Sequence, residues 1–402
     1  MSDQTPTCET YDVVVVGGGP TGATAATEHA RNGRTVLLLD RAGRIKPCGG
    51  AIPPALIRTF DIPDSQIVAR VNSARMVSPT NVEVDMPIDG GYVGMVDREH
   101  FDPFLRARAV EAGAELRHGS FEQFTRDDDG TARIHYRPSG EAPDSPLVSV
   151  RARAVIGADG ANSAVAKHCL PPGSKVPFVF AYHEIVRSPA NAEKFDPKRC
   201  DVYYQGRLSP DFYGWVFPHG ATTSVGSGSA KKGFSLRKSV ADLRGAAGLA
   251  GQETVRREGA PIPLRPMKRW DNGRDVVLAG DAAGVVAPAS GEGIYYAMAG
   301  GRLAAEAAGE FLATGDAKAL ASARKRFMKA HGRVFWILGM MQWFWYSSDK
   351  RREKFVKLCE DKDIQKLTWD SYMNKELVRR DPMAHVRVFF KDLAQLLGFA
   401  SA

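Results

Sequence analysis

The sequence of 402 residues predicts an α/β protein, in which a Rossmann-type parallel-sheet domain is interrupted by an antiparallel β-sheet domain and followed by a helical C-terminal region. Three observations predict this fold class. The chain opens with an apolar run, a glycine-rich turn and an alanine-rich helical segment. Residues 176–265 are rich in β-branched, aromatic and glycine residues, which is typical of antiparallel strands. From about residue 317 onward the pattern is helical.

The first forty residues predict a βαβ unit. Residues 11–16 are an apolar run typical of a buried parallel strand, and residues 20–32 have helical character that ends at Gly33. Residues 35–40 are a second apolar run. A strand, a glycine-rich turn, a helix and a strand in this order predict a dinucleotide-binding site.

The turn of this unit fits the pattern G-x-G-x-x-G at Gly17, Gly19 and Gly22, with Pro20 and Thr21 between the last two. The first glycine permits the tight turn, the second lets the backbone approach a pyrophosphate, and the third lets the helix pack closely on the strand. Asp40 ends the second strand 18 residues after Gly22, where an acid binds a ribose diol. The neighbouring Arg41 leaves a 2′-phosphate open as an alternative.

Two later segments repeat the pattern of a buried strand that ends in an acid and a glycine. Residues 151–159 end at Asp159 and Gly160, and residues 275–281 end at Gly280 and Asp281. A glycine-rich turn at 291–293 and a helix-like segment at 294–312 follow. Because the carboxyl ends of parallel strands meet at one edge of a sheet, we expect these residues to gather at one ligand site.

Composition and charge exclude several classes of protein. The net charge of +8 fits an anionic ligand or membrane surface, but no nucleic-acid-binding pattern accompanies it. The five cysteines form no CxxC pair, so we expect neither a disulfide framework nor a zinc site. We expect the protein to lie in a reducing compartment. No uncharged apolar run reaches the roughly 20 residues of a membrane-spanning helix. We therefore expect a protein on the cytoplasmic side.

Two further segments carry chemically distinctive residues. In the segment 46–50, Cys48 is followed by Gly49 and Gly50, which permit close backbone approach to a flat ring; an ordinary loop with a thiol is the alternative. In the segment 213–218, every second residue is aromatic, so one strand face carries three rings, followed by Pro218. An apolar cavity wall and ordinary core packing both explain these rings, which belong to Tyr213, Trp215 and Phe217.

The glycine turn and the two later strand ends, in this order, resemble the flavoprotein superfamily typified by p-hydroxybenzoate hydroxylase. The resemblance implies that FAD is the cofactor and that Asp281 holds its ribityl–pyrophosphate part. It also implies that the segment 291–294 lies against the isoalloxazine, with the N-terminus of the following helix directed at the N1–C2 edge of the ring.

The segments 46–50 and 213–218 resemble the geranylgeranyl reductase family, with its P-C-x-G and Y-x-W-x-F-P motifs, over residues 11–312. The tail, especially 343–346, 349–359, 363–368 and 371–377, resembles the chlorophyll and bacteriochlorophyll branch. Arg98 matches an arginine that contacts FAD in the family. Together the motifs and the resemblance give the following cofactor-binding positions: Gly17, Gly19, Pro20, Thr21, Gly22, Asp40, Arg41, Cys48, Gly49, Gly50, Arg98, Asp159, Gly160, Gly280, Asp281, Gly291, Gly293 and Ile294.

The resemblance implies a reaction in which three isolated C=C bonds of a geranylgeranyl chain are reduced stepwise to phytyl. NADPH is the implied hydride donor, with reduced ferredoxin as an alternative. An isolated alkene has no carbonyl that could stabilise a carbanion, so protonation must accompany hydride transfer in a dry, apolar site. Cys48 is the candidate proton donor and His219 the alternative, while Tyr213, Trp215, Phe217 and Pro218 are the candidate substrate-binding residues.

The expected domains are an FAD-binding domain at 1–175 and 266–316, an antiparallel-sheet substrate domain at 176–265 and a helical region at 317–402. The uncharged, tryptophan-rich segment 334–346, with basic flanks, predicts either a buried helix or peripheral contact with a membrane. The implied partners are geranylgeranylated bacteriochlorophyll or chlorophyll, or geranylgeranyl diphosphate, at the photosynthetic membrane. Contact with other pigment-biosynthesis enzymes stays open.

Two other functions are compatible with these motifs. A flavin-dependent monooxygenase of the same fold would activate O₂ instead of reducing an alkene. A flavin-containing carrier of prenylated pigments would bind the substrate without turnover. The apolar aromatic segment favours a long apolar substrate, and the intact flavin motifs favour an enzyme over a carrier.

Overall fold

The computed structural model describes residues 8–43, 45–171, 176–190 and 193–375. The strands are β1 (Thr10–Val16), β2 (Val36–Asp40), β3 (Ala51–Ile52), β4 (Ala69–Val71), β5 (Ser73–Val77), β6 (Glu83–Pro87), β7 (Val93–Met95), β8 (Glu115–Arg126), β9 (Ala132–Pro138), β10 (Val148–Gly157), β11 (Phe178–Arg187), β12 (Arg199–Tyr203), β13 (Gly214–His219), β14 (Thr222–Ser229), β15 (Thr254–Pro263) and β16 (Val276–Leu278). The α-helices are α1 (Pro20–Arg31), α2 (Pro54–Thr59), α3 (Arg98–Glu111), α4 (Ala164–Cys169), α5 (Leu236–Ala246), α6 (Ile294–Thr314), α7 (Ser322–Trp345), α8 (Asp349–Leu358) and α9 (Lys362–Asn374).

The chain forms two compact units. Among the described residues, the first comprises those within 8–48, 98–180 and 260–341, and the second comprises those within 49–97, 181–259 and 342–375. The predicted α/β fold class, with its Rossmann-type start, antiparallel sheet and helical C-terminal region, is confirmed. The helical pattern continues to Asn374, and residues 376–402 lie outside the described residues.

The first unit is built around a six-stranded sheet in which β1 pairs in parallel with both β2 and β10. Strand β8 extends the parallel set beyond β2, and β16 extends it beyond β10. Strand β9 is antiparallel to β8 and β10. Strands β1, β2 and β16 and the second half of β10 are buried apolar runs, as a sheet covered on both faces requires, whereas β8 is largely polar and partly exposed. Their carboxyl ends therefore meet at one edge, as the sequence predicts.

Helices α1 and α6 pack closely on each other in the first unit. A Cβ added to Gly301 of α6 would lie 2.3 Å from the carbonyl oxygen of Thr21 in α1. The small residues of both helices thus let their backbones approach. This packing brings the start of α1 near the end of β16, because a Cβ on Gly280 would lie 2.0 Å from Thr21 Oγ1.

The second unit contains a seven-stranded sheet with the order β15-β11-β14-β13-β12-β5-β6, and a small sheet with the order β3-β7-β4. Residues 49–97, which the sequence assigns to the FAD-binding domain, belong to this unit. The reason is a long-range pairing: β5 lies parallel to β12, with Ser73 opposite Arg199. Helix α9 packs on α2, so part of the C-terminal region also belongs here. Among the described helices, none is both long and apolar enough to cross a bilayer.

Candidate functional site

The glycine turn joins β1 to α1, and its first and third glycines are required by the fold itself. Gly17 has a φ of +103°, and a Cβ there would lie 2.4 Å from the carbonyl oxygen of Ala158. A Cβ on Gly22 would lie 1.8 Å from the carbonyl oxygen of Gly17. Both positions therefore exclude any side chain, as the dinucleotide-binding pattern requires.

Gly19 differs, because the space beside it is open. Among the described residues, the one atom within 4 Å of an added Cβ is Nη2 of Arg98, at 3.9 Å. Helix α1 begins at Pro20, and no side chain of the described residues caps it. Its first turn contains no acid, so the N–H groups and the positive end of the helix dipole can receive an anion. A pyrophosphate fits this arrangement.

Asp40, at the end of β2, is bound to the glycine turn. Its Oδ1 accepts a hydrogen bond of 2.8 Å from the Gly18 backbone N–H, and its Oδ2 lies 3.2 Å from Nη1 of Arg106. Burial raises the pKa of the Asp40 carboxyl. The neighbouring Arg41 is exposed. Arg106, which also donates to the carbonyl oxygen of Gly18, is a residue that the sequence analysis missed.

Asp159, after β10, fixes the following loop and helix. Its Oδ1 accepts from the Ser163 hydroxyl at 2.5 Å, and its Oδ2 accepts from the backbone N–H groups of Ala164 and Val165. Gly160 beside it has a φ of +88°. Burial raises the pKa of the Asp159 carboxyl. The structure therefore shows a capping role for Asp159, while cofactor contact at this position stays a prediction.

Asp281 lies in a 3-10 turn directly after β16, and Lys46 forms an ion pair with it. This pair joins the segment before Cys48 to the end of the last parallel strand. Lys46 was not among the residues predicted to bind the cofactor. Its position two residues before the predicted Cys48 is the one sequence signal that could have found it.

The N-terminus of α6 is a second open helix end. Gly291 has a φ of +66°, and Gly293 is the N-cap of the helix that begins at Ile294. Within the described part of the chain, no side chain caps this helix, and its first turn lacks an acid. A Cβ on Gly293 would make ordinary contacts with Val286 and Asp281 at 3.5–3.9 Å. This end can therefore stabilise negative charge on a flat ring placed against it.

Arg98, the first residue of α3, is buried and lies between two other predicted positions, Gly19 and Cys48. It forms a bidentate ion pair with Asp102, with distances of 2.6 and 2.7 Å. Its guanidinium also contacts the Cys48 side chain by a hydrogen bond. Since Arg98 also faces Gly19, the structure brings the turn, the arginine and the thiol together in the first unit.

The second unit contains the other candidate residues around Gly49 and Gly50. His219, at the end of β13, lies with its Nε2 3.0 Å from the carbonyl oxygen of Gly49. Nε2 therefore carries the proton of this ring and donates it to that oxygen. Burial lowers the pKa of His219. Gly50 has a φ of +72°, and a Cβ there would lie 2.4 Å from the carbonyl oxygen of Val96.

The predicted aromatic face exists. Tyr213 precedes β13, and Trp215 and Phe217 lie within it. The ring centroids of Tyr213 and Trp215 are 6.0 Å apart, and those of Trp215 and Phe217 are 6.4 Å apart. Pro218 is buried and pairs with Thr223 of β14. We call Tyr213, Trp215 and Phe217 the aromatic row.

The residues of the first unit fit a dinucleotide. The carboxyl edge of the sheet is surrounded by two uncapped helix ends, an open position beside Gly19 and two strand-end carboxylates with cationic partners. No cluster of three His, Cys, Asp or Glu side chains suited to a metal occurs among the described residues.

Comparison with known proteins identifies the family. A family model described as "Lycopene cyclase protein" matches residues 12–391. A protein named geranylgeranyl diphosphate reductase from Rhodobacter capsulatus is 56% identical over 389 residues, which cover 96% of this chain and 98% of the relative. The chloroplastic geranylgeranyl diphosphate reductase of Oryza sativa is 36% identical, over 98% of this chain and 88% of the relative.

Further matches include more distant proteins. A digeranylgeranylglycerophospholipid reductase from Methanoculleus marisnigri is 31% identical over 76% of this chain and 78% of the relative. The crystal structure of a geranylgeranyl bacteriochlorophyll reductase-like protein from Thermoplasma acidophilum superposes with a TM-score of 0.78 at 24% identity, over 92% of this chain and 98% of that one. The flavin-dependent brominase Bmp2 superposes with a TM-score of 0.75 at 16% identity, over 97% of this chain and all of that one. These structures share the fold.

The relatives named geranylgeranyl diphosphate reductase match nearly the whole chain, whereas the archaeal phospholipid reductase leaves about a quarter unmatched. The chain belongs to the lycopene cyclase protein family and, among its relatives, to the geranylgeranyl reductases.

Proposed function

We propose that this chain is an FAD-dependent reductase that saturates the isolated C=C bonds of a geranylgeranyl chain to phytyl, with NADPH as the hydride donor. The observation that carries the proposal is the 56% identity, over almost the full length of both chains, with a protein named geranylgeranyl diphosphate reductase. The geometry of the first unit supports the cofactor, and the aromatic row of the second unit supports an apolar substrate.

The described residues suggest how FAD is held. The pyrophosphate would bind at Gly19 and the start of α1, and Asp40 would receive the adenosine ribose. Asp281 would contact the ribityl–pyrophosphate part, and the start of α6 would lie at the isoalloxazine. Arg98 would add a contact near the turn. When bound, FAD supplies a carrier that accepts a hydride from NADPH and passes it to carbon.

The overall reaction per double bond is alkene + NADPH + H⁺ → alkane + NADP⁺. One alkene carbon receives the hydride and the other receives the proton. Cys48 Sγ would hold that proton, with the guanidinium of Arg98 as its hydrogen-bond partner. His219 is the weaker candidate, because its Nε2 proton is donated to Gly49 and burial lowers its pKa.

The aromatic row offers apolar contact for a prenyl chain. Trp215 and Tyr213 are buried and Phe217 is partly exposed, and the row consists of three large aromatic rings in ring contact with one another. A phenolic substrate of a monooxygenase would need polar partners here. The row therefore favours a long apolar chain, attached either to bacteriochlorophyll or chlorophyll or to a diphosphate.

Peripheral contact with the cytoplasmic face of a photosynthetic membrane is part of the proposal. Trp336 and Trp343, seven residues apart in α7, are 63% and 77% exposed. They are two helical turns apart and thus on one side of the helix. Exposed Arg333 precedes them and exposed Lys350 follows α7. Tryptophans with basic flanks are typical of a helix that lies at an anionic lipid surface.

The test of the proposed function is mass spectrometry of the pigments of a strain from which the gene has been deleted. The expected result is that geranylgeranylated pigment replaces the phytylated form, and that the wild-type gene restores the latter. A gene encoding Cys48→Ser should restore it poorly if the thiol supplies the proton. Normal phytylated pigment in the deletion strain would refute the function.

A further inference from the structure

A row of hydrogen-bonded side chains, three of them buried and Glu258 partly buried, crosses four adjacent strands of the second unit, on the same face as the aromatic row. Trp215 Nε1 of β13 donates to Ser224 Oγ of β14 at 3.1 Å. Ser224 Oγ lies 2.9 Å from Nδ1 of His183 on β11. His183 Nε2 lies 2.8 Å from Oε2 of Glu258 on β15. We call Trp215, Ser224, His183 and Glu258 the polar row.

The chemistry of the indole gives the first hydrogen bond of the polar row its direction. An indole N–H can only donate, so Ser224 Oγ accepts it. Ser224 Oγ and Nδ1 of His183 share the next hydrogen bond, and Nε2 of His183 and Glu258 share the one after it. Glu258 is also ion-paired with Arg256. The polar row thus connects the indole, through two side chains, to an ion pair.

The backbone fixes the same indole from a second side. Gly226 lies directly opposite Trp215 in the pairing of β13 with β14. A Cβ on Gly226 would lie 2.1 Å from Cζ2 of Trp215 and 2.6 Å from Cβ of His183. The indole therefore lies on the bare backbone of Gly226. Steric fit sets the plane of the ring, and the Ser224 hydroxyl sets the direction of its N–H.

The order Ser224, His183, Glu258 is also that of a nucleophilic triad, but burial excludes this role. Ser224 is 0% exposed and His183 is 2% exposed. The Ser224 oxygen also receives the indole N–H, so a substrate carbonyl has no path to it. For the same reason the polar row cannot deliver a proton directly to a bound chain. Its action on a substrate has to pass through Trp215.

We propose that the polar row is a positioning device, in which Ser224 and His183 hold Trp215 at the angle that a bound geranylgeranyl chain requires. The inference rests on the proposed function, because Trp215 is a substrate contact only if the aromatic row binds that chain. Loosening the indole weakens chain binding more than it slows the chemical step. It also lets partly reduced chains dissociate before the last double bond has reacted.

The test uses Ser224→Ala together with a matched control, Ser227→Ala. Ser227 is an equally buried serine of β14 on the opposite face, where its hydroxyl donates to the carbonyl oxygen of Leu208 at 2.6 Å. Ser224→Ala loses two buried hydrogen bonds, those with Trp215 and His183, and Ser227→Ala loses one. Both variants should therefore lose thermal stability, and Ser224→Ala should lose more. The Trp215 indole N–H signal in a ¹H–¹⁵N spectrum is assigned by its loss in Trp215→Phe. Only Ser224→Ala should shift this signal and speed the exchange of the indole proton with solvent.

In steady-state kinetics with geranylgeranyl diphosphate, Ser224→Ala should raise KM about five-fold, the factor that one ordinary buried hydrogen bond carries. Its kcat should change far less, and more partly reduced product should appear. In a Trp215→Phe background the same substitution should change KM by less than about two-fold, because the partner is gone. Ser227→Ala should leave KM and product pattern unchanged.

The outcomes separate the two proposals. If the wild-type protein reduces the chain but Ser224→Ala moves neither the indole signal nor KM, the polar row is structural only and the inference is overturned. An equal effect of Ser224→Ala in the presence and absence of Trp215 would overturn it as well. A wild-type protein that reduces no geranylgeranyl substrate refutes the proposed function instead, whatever the indole signal shows.

Discussion

Gly19→Ala should separate cofactor binding from folding. A Cβ on this glycine would meet a single atom of the described residues within 4 Å, Nη2 of Arg98 at 3.9 Å. Gly19 has a φ of −74°, which alanine adopts without strain. The expected cost to the apoprotein is the preference of a helix N-cap for glycine over alanine, up to about 1 kcal/mol. The fold should therefore survive the substitution.

The substitution should, by contrast, lower the affinity of the protein for FAD. The added methyl occupies the side from which a pyrophosphate approaches the backbone. If two charge-assisted hydrogen bonds from the turn are lost, at about 1.5 kcal/mol each, the loss is about 3 kcal/mol. This loss raises the Kd for FAD by roughly 150-fold. Titration of apoprotein with FAD, followed by flavin fluorescence, measures the Kd, and urea unfolding measures the stability.

Gly245→Ala is the matched control. Gly245 lies in α5 of the second unit, and nothing among the described residues would lie within 4 Å of its Cβ. Alanine there should stabilise the helix by about 0.5–1 kcal/mol and leave the Kd for FAD unchanged. A Gly19→Ala protein that binds FAD with wild-type affinity would show that this turn is not the pyrophosphate site.

Three further predictions concern the ion pair, a buried histidine and the exposed tryptophans. Arg98→Leu leaves the buried Asp102 carboxylate without its bidentate partner, so urea titration should show a free energy of unfolding lower by about 3 kcal/mol. The double variant Arg98→Leu/Asp102→Leu should recover most of this lost stability. Burial lowers the pKa of His29 from 6.5 to about 4, so between these pH values the unfolded chain binds more protons than the folded protein. The free energy of unfolding should therefore fall by about 2 kcal/mol from pH 7.5 to pH 5. His29→Gln should remove this part of the pH dependence. Trp336→Ala/Trp343→Ala should weaken co-sedimentation with anionic liposomes without lowering the melting temperature, because both rings are exposed.

Each of these predictions has a contradicting result. A double Arg98/Asp102 variant that is no more stable than Arg98→Leu would show that the buried charge is not what destabilises the single variant. Equal pH dependence in wild type and His29→Gln would place the titration elsewhere. The membrane prediction uses Phe178→Ala as its control, because Phe178 is also an exposed aromatic residue. Equal liposome binding by the tryptophan variant and this control would exclude α7 as the membrane contact.

The local parts of the fold could be predicted from the sequence. The βαβ unit follows from short-range patterns, since each of its elements is a continuous apolar run, a glycine turn or a helical stretch. The gathering of Asp40, Asp159 and Asp281 follows from one topological rule about parallel strands. These inferences need no knowledge of which distant strands pair.

The parts that sequence reasoning missed depend on long-range contacts. Strand β5 joins the large sheet through β12, more than a hundred residues later, so the 49–97 segment could not be assigned from its own pattern. Lys46 and Arg106 reach strand-end acids through side-chain contacts that leave no periodic signal. The polar row likewise joins four strands whose order the sequence does not reveal.

The most direct test of the central claim is anaerobic turnover by the purified, FAD-loaded protein, with NADPH and a geranylgeranyl substrate, followed by mass spectrometry of the prenyl product. We expect successive products that gain one H₂ per reduced double bond, up to the phytyl chain, with one NADPH oxidised for each. Oxygen-dependent turnover would indicate a monooxygenase. A product of unchanged mass, whether cyclised or merely bound, would contradict the assignment of a reductase.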